Sequence, residues 1–284
     1  MKALKNWVDP ILKPTLSNKL SVGNFSIIIT VLLTPLIFEG SSVYGWEFAA
    51  VGDIECNDTG NDVADGMMAT DSEINILLGD IGYGEEKCIF DYFEGSGSKI
   101  LAACGNHDDC TEVEKYSEHS STFGYVHQDV AFQIVNTESS VSDQKISIED
   151  NFERWQSDPN INSIVIAQHK VTITNPSAHH KESETEGHRE FYADMKEKYP
   201  KFELLLQGHN HGYQICEPDS PDILVVTDGT GGRESYSWGS SVDDNCDISL
   251  SGSKYNGFSL FEVTGGEISG RHFSIESQEY SEGF

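Results

Sequence analysis

The chain has 284 residues, of which 37% are hydrophobic and 10% aromatic, and this is enough for a sizeable core. Its formal net charge is −29 at pH 7, with 47 acidic residues against 18 lysines and arginines. The composition excludes a disordered chain, and no basic stripe is present to neutralise a nucleic-acid backbone. We therefore expect a folded acidic protein that does not bind nucleic acid.

Residues 1–45 show the pattern of an export signal. Four lysines precede the apolar run Phe25–Phe38. A membrane-spanning helix usually needs roughly 20 apolar residues, more than this run contains, and small or modest residues end the segment at Gly45. We expect cleavage near Gly45, with an uncleaved N-terminal anchor as the alternative. Residues 46–284 then carry a formal charge of −31 outside the cytoplasm, because the leader removes four lysines and two acids.

All six cysteines follow the leader, at positions Cys56, Cys88, Cys104, Cys110, Cys216 and Cys246. An even number of cysteines in an exported chain favours disulfides over free thiols. We expect the pairs Cys104–Cys110 and Cys216–Cys246, although the sequence alone permits many other pairings. Zinc binding by these cysteines is less favoured because no CxxC pair occurs.

Short apolar runs alternate with helical patterns through most of residues 46–284, and no repeat or linker divides this single domain. The predicted strands are Trp46–Gly52, Ile74–Leu78, Ile100–Cys104, Ile164–Ala167 and Phe202–Leu206. The predicted helices are Asn61–Thr70, Glu85–Gly95, Ile148–Asp158 and Gly187–Tyr199. Later strands are predicted at Ile223–Thr227, Gly257–Val263 and Glu267–Ile275. The pattern indicates the α/β class.

Each of the first five strands ends at a polar motif, where ligand-binding loops of open α/β sheets lie. These motifs supply oxygen and imidazole donors, which are Asp53, Asp80, Asn106, His169, His209 and His211. Two neighbouring metal ions need such donors and at least one carboxylate that bridges them. The spacing of His209 and His211 suits an extended segment or a tight loop, where two imidazoles flank neighbouring ions.

Five ordered motifs resemble the calcineurin-like metallophosphoesterase superfamily: GDIE (52–55), GDIGY (79–83), GNHD (105–108), AQH (167–169) and GHNH (208–211). The resemblance implies a four-layer αββα sandwich of two mixed β-sheets flanked by helices. Tyr83 within GDxxY resembles the purple acid phosphatase subtype, in which this tyrosine binds ferric iron. Glu55 stands where the first motif can carry a histidine. A core aromatic with a hydrogen-bonded hydroxyl is the alternative for Tyr83.

The resemblance implies two ligand sets that share Asp80 as the bridge. The first comprises Asp53, Asp80, Tyr83 and His211. The second comprises Asp80, Asn106, His169 and His209. Phenolate and carboxylate favour Fe(III) in the first set, whereas amide oxygen and imidazoles suit Zn, Mn or Fe(II) in the second.

Four further residues are expected to act on the substrate side of the metals. His107 is expected to stabilise the phosphoryl group or protonate the departing oxygen. His179 and His180 resemble substrate-side histidines of purple acid phosphatases, and Asp108 is expected to orient His107. The Gly-rich segment 229–232 lacks the Lys-Ser/Thr of a P-loop and is expected to be a turn near the site.

These features predict an exported acid-phosphatase-like hydrolase that cleaves small phosphate monoesters with a metal-activated water. A phosphodiesterase or nucleotide hydrolase would use the same metal cage. A non-catalytic exported protein that binds metal or phosphate is a third alternative. We expect no membrane contact beyond the N-terminal segment if it is retained as an anchor.

Overall fold

The computed structural model describes residues 45–175, 180–236, 246–250, 256–281 and 283–284. Apart from Gly45, the predicted leader lies outside the described residues, and so does His179. None of the helices in the described ranges is long and apolar enough to cross a bilayer.

Five α-helices and thirteen strands make up the described structure, with a 3-10 turn at Glu182–Thr185. The helices are α1 Asp58–Met68, α2 Glu86–Phe93, α3 Cys110–Ser117, α4 Val141–Ser157 and α5 His188–Lys198. The strands up to the middle of the chain are β1 Trp46–Val51, β2 Ser72–Leu78, β3 Lys99–Ala103, β4 Phe123–His127, β5 Val130–Ile134 and β6 Ser163–Gln168. The remaining strands are β7 Phe202–Gln207, β8 Tyr213–Cys216, β9 Leu224–Asp228, β10 Cys246–Leu250, β11 Gly257–Thr264, β12 Glu267–Ser274 and β13 Glu279–Tyr280.

The strands form two mixed sheets. The first has the order β13-β12-β11-β1-β2-β3, and the second has the order β10-β8-β9-β7-β6-β5-β4. Strands β1, β2 and β3 run parallel in the first sheet, as do β5, β6, β7 and β9 in the second. The parallel strands therefore direct their carboxyl ends, and the loops that follow, to one edge of each sheet.

The side chains of successive strand residues point alternately to the two faces of each sheet and form three apolar layers. In β1, Phe48 and Ala50 belong to the core between the two sheets, whereas Ala49 and Val51 belong to the core beneath α1, α2 and α3. Successive side chains of a strand point to opposite faces, so each strand serves both layers. The outer face of the second sheet is covered by α4 and α5, through residues such as Phe152 and Tyr192. The four-layer αββα sandwich is thus confirmed.

Sequence patterns located most elements but missed those with weak apolar signals. Helix α4 begins at Val141 rather than Ile148, because its first turns are polar and bury only Gln144. Helix α3 buries only Val113 and Ser117, and β4 is a partly exposed edge strand. Strand β5 is a further element that the sequence patterns did not identify, although it is fully buried and as long as the predicted strand Ile74–Leu78.

All six cysteines are paired. The predicted bonds Cys104–Cys110 and Cys216–Cys246 are confirmed, and Cys56–Cys88 is the third. The Cys104–Cys110 bond closes a short loop that contains the GNHD motif. Cys56–Cys88 ties the segment after GDIE to α2, which follows GDIGY.

Candidate metal centre

The predicted ligands converge where the carboxyl ends of both sheets meet. Asp53, Asp80 and Asn106 lie in the loops that follow β1, β2 and β3 of the first sheet. The histidines lie in the loops that follow β6 and β7 of the second sheet. Packing of the two sheets therefore assembles oxygen donors from one sheet and imidazoles from the other.

Four of the predicted ligands occupy the left-handed backbone region. The φ angles are 59° at Asp53, 52° at Asp80, 54° at Tyr83 and 68° at His209. Such conformations are uncommon for residues other than glycine and collect at functional sites. Close packing also explains the glycine before Asp80, because a Cβ on Gly79 would lie 2.6 Å from the His169 ring.

The first donor cluster consists of Asp53, Tyr83 and His211. The Tyr83 hydroxyl donates to a carboxylate oxygen of Asp53 at 3.2 Å and lies 3.1 Å from Nε2 of His211. The same Nε2 lies 3.3 Å from the Asp53 carboxylate. Three donor atoms of different chemistry thus form a nearly equilateral triangle, with Asp53 fully buried.

The second donor cluster consists of Asp80, Asn106, His169 and His209. Nε2 of His169 lies 3.2 Å from Oδ1 of Asp80, 3.1 Å from Oδ1 of Asn106 and 3.0 Å from Nδ1 of His209. Asp80 also lies beside the first donor cluster, because the backbone N–H of Asp53 donates to the carbonyl of Gly79, the residue before Asp80, at 3.0 Å. Its position is suitable for a bridging carboxylate.

The donor spacing fits metal ions. Ligand atoms bonded at about 2.0–2.2 Å are separated by about 3.3–3.6 Å around a tetrahedral ion and by about 2.8–3.1 Å at adjacent positions of an octahedral ion. The six separations given above lie between 3.0 and 3.3 Å, within the range that these two geometries span. Carboxylate, phenol, amide and imidazole are also the donor types that iron, zinc and manganese accept.

Comparison with solved structures shows the same architecture in three proteins. GAP50, the anchor in the inner membrane complex of Plasmodium, is 13% identical over 84% of this chain and 88% of that chain, with a TM-score of 0.66. PhoD is 10% identical over 85% and 69%, with a TM-score of 0.58. A dimetal phosphatase from Danio rerio is 10% identical over 81% and 95%, with a TM-score of 0.53.

The chain has the calcineurin-like metallophosphoesterase fold. Identities this low establish the shared fold alone. No family model matches the sequence. No curated protein matches it either.

Within this phosphoesterase fold, burial and neighbouring charges shift the pKa values of the donors. Burial alone would raise the pKa of Asp53, but the hydrogen bond with His211 and the charges of His169 and His211 outweigh it, so this pKa is lowered. Burial raises the pKa of Asp80 and, with Asp53 and Asp80 nearby, that of Tyr83. Burial and His169 hold the pKa of His209 far below its ordinary value, which keeps the imidazole in the neutral form that binds metals.

Each of the three histidines directs one ring nitrogen into the site and the other toward an oxygen. Nδ1 of His169 lies 2.8 Å from the carbonyl oxygen of Leu78, and Nδ1 of His211 lies 2.9 Å from that of Glu234. Nε2 of His209 lies 3.1 Å from a carboxylate oxygen of Glu184. Such partners fix the tautomer and orientation of a metal-binding imidazole.

Sequence reasoning did not identify Glu184. Its other carboxylate oxygen lies 3.2 Å from Nδ1 of His180, so one side chain links a predicted substrate-side histidine to the second donor cluster. The ring centroids of His180 and His209 lie 3.6 Å apart. The only signal in the sequence is a glutamate four residues after His180, which is common in exposed acidic loops.

Two further predicted residues, His107 and Asp108, lie next to the donor clusters. His107 is exposed, its backbone N–H donates to Asp80 at 2.9 Å, and its ring centroid lies 5.2 Å from that of Tyr83. Asp108 takes a different position from the one expected: its carboxylate accepts backbone N–H groups of Ile81 at 2.6 Å and Gly105 at 2.8 Å, rather than the His107 imidazole. It joins the second and third motif loops.

Proposed function

We propose that this chain is a two-metal phosphoesterase of the purple acid phosphatase type that hydrolyses phosphate monoesters. The position of Asp80 between the two donor clusters carries this proposal, because two neighbouring metal ions require a carboxylate that can bridge them. Two fold neighbours, PhoD and the dimetal phosphatase from Danio rerio, are consistent with it.

The two metal ions are proposed to differ. Asp53, Tyr83 and His211 would hold Fe(III) with Asp80, and Asn106, His169 and His209 would hold Zn, Mn or Fe(II) with Asp80. When bound, the pair supplies positive charge to the phosphoryl oxygens and lowers the pKa of water. The subtype rests on Tyr83: iron-loaded protein should be purple, and Tyr83→Phe should bleach it. A colourless wild-type protein containing two zinc ions would contradict the subtype.

The protein's own groups place and protonate the ester. His107 reaches into solvent at the rim of the donor clusters, where it protonates the departing oxygen. Its backbone N–H donates to Asp80, which fixes the main chain that carries the imidazole beside the donors. His180, with His179 beside it in sequence, contacts Glu184 and packs on His209, and His179 and His180 are proposed to bind the phosphate of the substrate.

The cellular setting is proposed to be extracytoplasmic, either secreted or at the cell surface. Three disulfides favour an oxidising compartment. The strong negative charge opposes nucleic-acid substrates, and small phosphorylated molecules are the proposed class.

A non-enzymatic role is the second candidate. It is favoured by the TM-score of 0.66 with GAP50, which is described as an anchor rather than as an enzyme. The complete set of donor side chains in this chain argues for metal binding, which an anchor does not need.

Turnover of p-nitrophenyl phosphate and bis-p-nitrophenyl phosphate by the metal-loaded protein tests the proposal. We expect faster turnover of the monoester, and Asp80→Asn should reduce it by about a hundredfold through loss of metal. Asp194→Asn, an exposed change on α5, is the matched control. Faster diester turnover would replace the monoesterase proposal with the phosphodiesterase alternative. Absence of turnover despite two bound metals would leave the non-enzymatic candidate.

A further inference from the structure

Glu55 is the acidic residue of the first motif that belongs to neither donor cluster. Its carboxylate binds the guanidinium of Arg233 and accepts a hydrogen bond from the side-chain amide of Asn57, the N-cap of α1. The ion pair is partly shielded, because the Glu55 side chain is 26% exposed and that of Arg233 is 41% exposed. The Glu55 carboxylate is therefore occupied by the guanidinium of Arg233 and the side-chain amide of Asn57.

Arg233 in turn covers the ring of Tyr83. The guanidinium carbon lies 4.2 Å from the ring centroid, within the range of a cation–π contact. Glu55 holds the guanidinium, and the guanidinium lies against the face of the ring whose hydroxyl contacts Asp53 and His211.

Main-chain hydrogen bonds bring these three residues together. The N–H of Glu55 donates to the carbonyl of Gly231 at 3.1 Å, and Ile54 pairs with Gly232 in an isolated antiparallel bridge. The carbonyl of Ile54 also accepts the N–H of Gly82 at 2.8 Å. Consequently the loop before Arg233 and the loop before Tyr83 are both fastened to the first motif.

Tyr83 needs such support. Its backbone has a φ of 54°, which an L-residue keeps only when its surroundings hold it. Its hydroxyl donates to the buried Asp53 carboxylate at 3.2 Å and lies 3.1 Å from Nε2 of His211, so a turn of the ring would break both contacts. A guanidinium held over the ring face restricts the side chain to one orientation.

We propose that Glu55 and Arg233 form a positioning clamp that keeps the phenol oxygen of Tyr83 between Asp53 and His211. Both are positioning residues, since they act on the site through Tyr83. The consequence for metal binding rests on the proposed function, in which Tyr83 is a ligand. The placement of the ring does not rest on it.

Hydroxyl-radical footprinting of the metal-free protein measures the clamp directly, because the oxidation rate of Tyr83 reports the exposure of its ring. Arg233→Gln and Glu55→Gln should each raise that rate severalfold, and Arg233→Lys should give a smaller increase because the charge is kept. Arg271→Gln is the matched control: Arg271 lies 4.0 Å from the ring of Tyr280, so only Tyr280 should become more reactive.

Metal affinity supplies the second measurement. In chelator competition, Arg233→Gln and Glu55→Gln should each weaken the metal affinity of the first donor cluster, which contains Tyr83, by about tenfold. Loss of an outer partner has an effect of this size in other metal sites. Turnover should fall through kcat with KM unchanged. Circular dichroism shows whether each variant is folded. If Arg233→Gln does not fold, Glu55→Gln, which retains the guanidinium, tests the clamp.

Unchanged Tyr83 oxidation in folded Arg233→Gln and Glu55→Gln would overturn the clamp. A raised KM with unchanged Tyr83 oxidation would also overturn it and would assign Arg233 to the substrate. If the wild-type protein binds no metal, the proposed function fails, and the footprint still decides whether the clamp exists.

Discussion

Glu184 contacts His209 on the opposite side of the ring from His169: the carboxylate lies 3.1 Å from Nε2, whereas Nδ1 faces His169 at 3.0 Å. Glu184→Gln should weaken the second metal site by about tenfold, because the carboxylate orients the imidazole and increases its basicity. Chelator competition measures the effect. Glu182→Gln in the same 3-10 turn is the control, since that carboxylate pairs with Arg189. Equal losses in both variants would show a loop effect instead.

Asp108 should matter for stability more than its neighbour Asp109. The Asp108 carboxylate accepts two backbone N–H groups from two different loops, and asparagine would leave one of them without an acceptor. Asp108→Asn should therefore lower the free energy of unfolding by about 2 kcal/mol in urea denaturation. Asp109→Asn should change it little, because asparagine is an equally good N-cap for α3. Similar values for both variants would contradict this assignment.

The disulfide around the GNHD motif should affect turnover more than the distant one. Cys104–Cys110 encloses Asn106 and His107, whereas Cys216–Cys246 joins β8 to β10. Replacing the first pair by serines should cost about 2 kcal/mol of stability and also lower kcat. Replacing the second should cost about 3–4 kcal/mol, because its loop is longer, but spare kcat of the folded protein. An equal fall in kcat in the two double-serine variants would contradict this prediction.

Two buried titratable groups behind the site should have opposite pH effects on stability. Burial raises the pKa of Asp228 from 3.8 to about 7 and lowers that of His272 from 6.5 to about 3. Asp228 binds an extra proton in the folded state, so its contribution to stability falls as pH rises from about 4 to 7. His272 binds an extra proton in the unfolded state, so its contribution falls as pH drops from about 6.5 to 3. The two effects cancel where the windows overlap.

Single substitutions at Asp228 and His272 should separate the two pH effects on stability. Between about pH 4 and 6.5, Asp228→Asn should lose stability relative to the wild type as pH falls, by about 1.4 kcal/mol per pH unit. His272→Gln should lose stability relative to the wild type as pH rises, with a similar slope. Urea denaturation across this range gives both curves. Curves parallel to that of the wild type would show that neither group has the shifted pKa.

The sequence predicted the strands that position the site because each is a short apolar run stopped by a polar motif. The same pattern placed Asp53, Asp80 and His169 at strand ends, and the structure brings them together. Whether they bind metal stays a prediction.

Contacts between loops were beyond the reach of sequence patterns. Glu184 meets His209 from 25 residues away, and Arg233 meets Glu55 from 178 residues away. No periodicity encodes such pairs, because both residues lie in loops whose approach is set by sheet packing and main-chain hydrogen bonds. The same reason explains Asp108, whose neighbour in sequence is His107 but whose partners are backbone amides of two loops.

Anomalous X-ray diffraction from metal-loaded crystals, collected at the iron, zinc and manganese edges, tests the central claim most directly. Two peaks are expected about 3.5–4 Å apart, with the Asp80 carboxylate bonded to both ions. Tyr83 and His211 should lie at one ion, and His169 and His209 at the other. A single peak, no peak, or two ions without Asp80 between them would contradict a two-metal phosphoesterase.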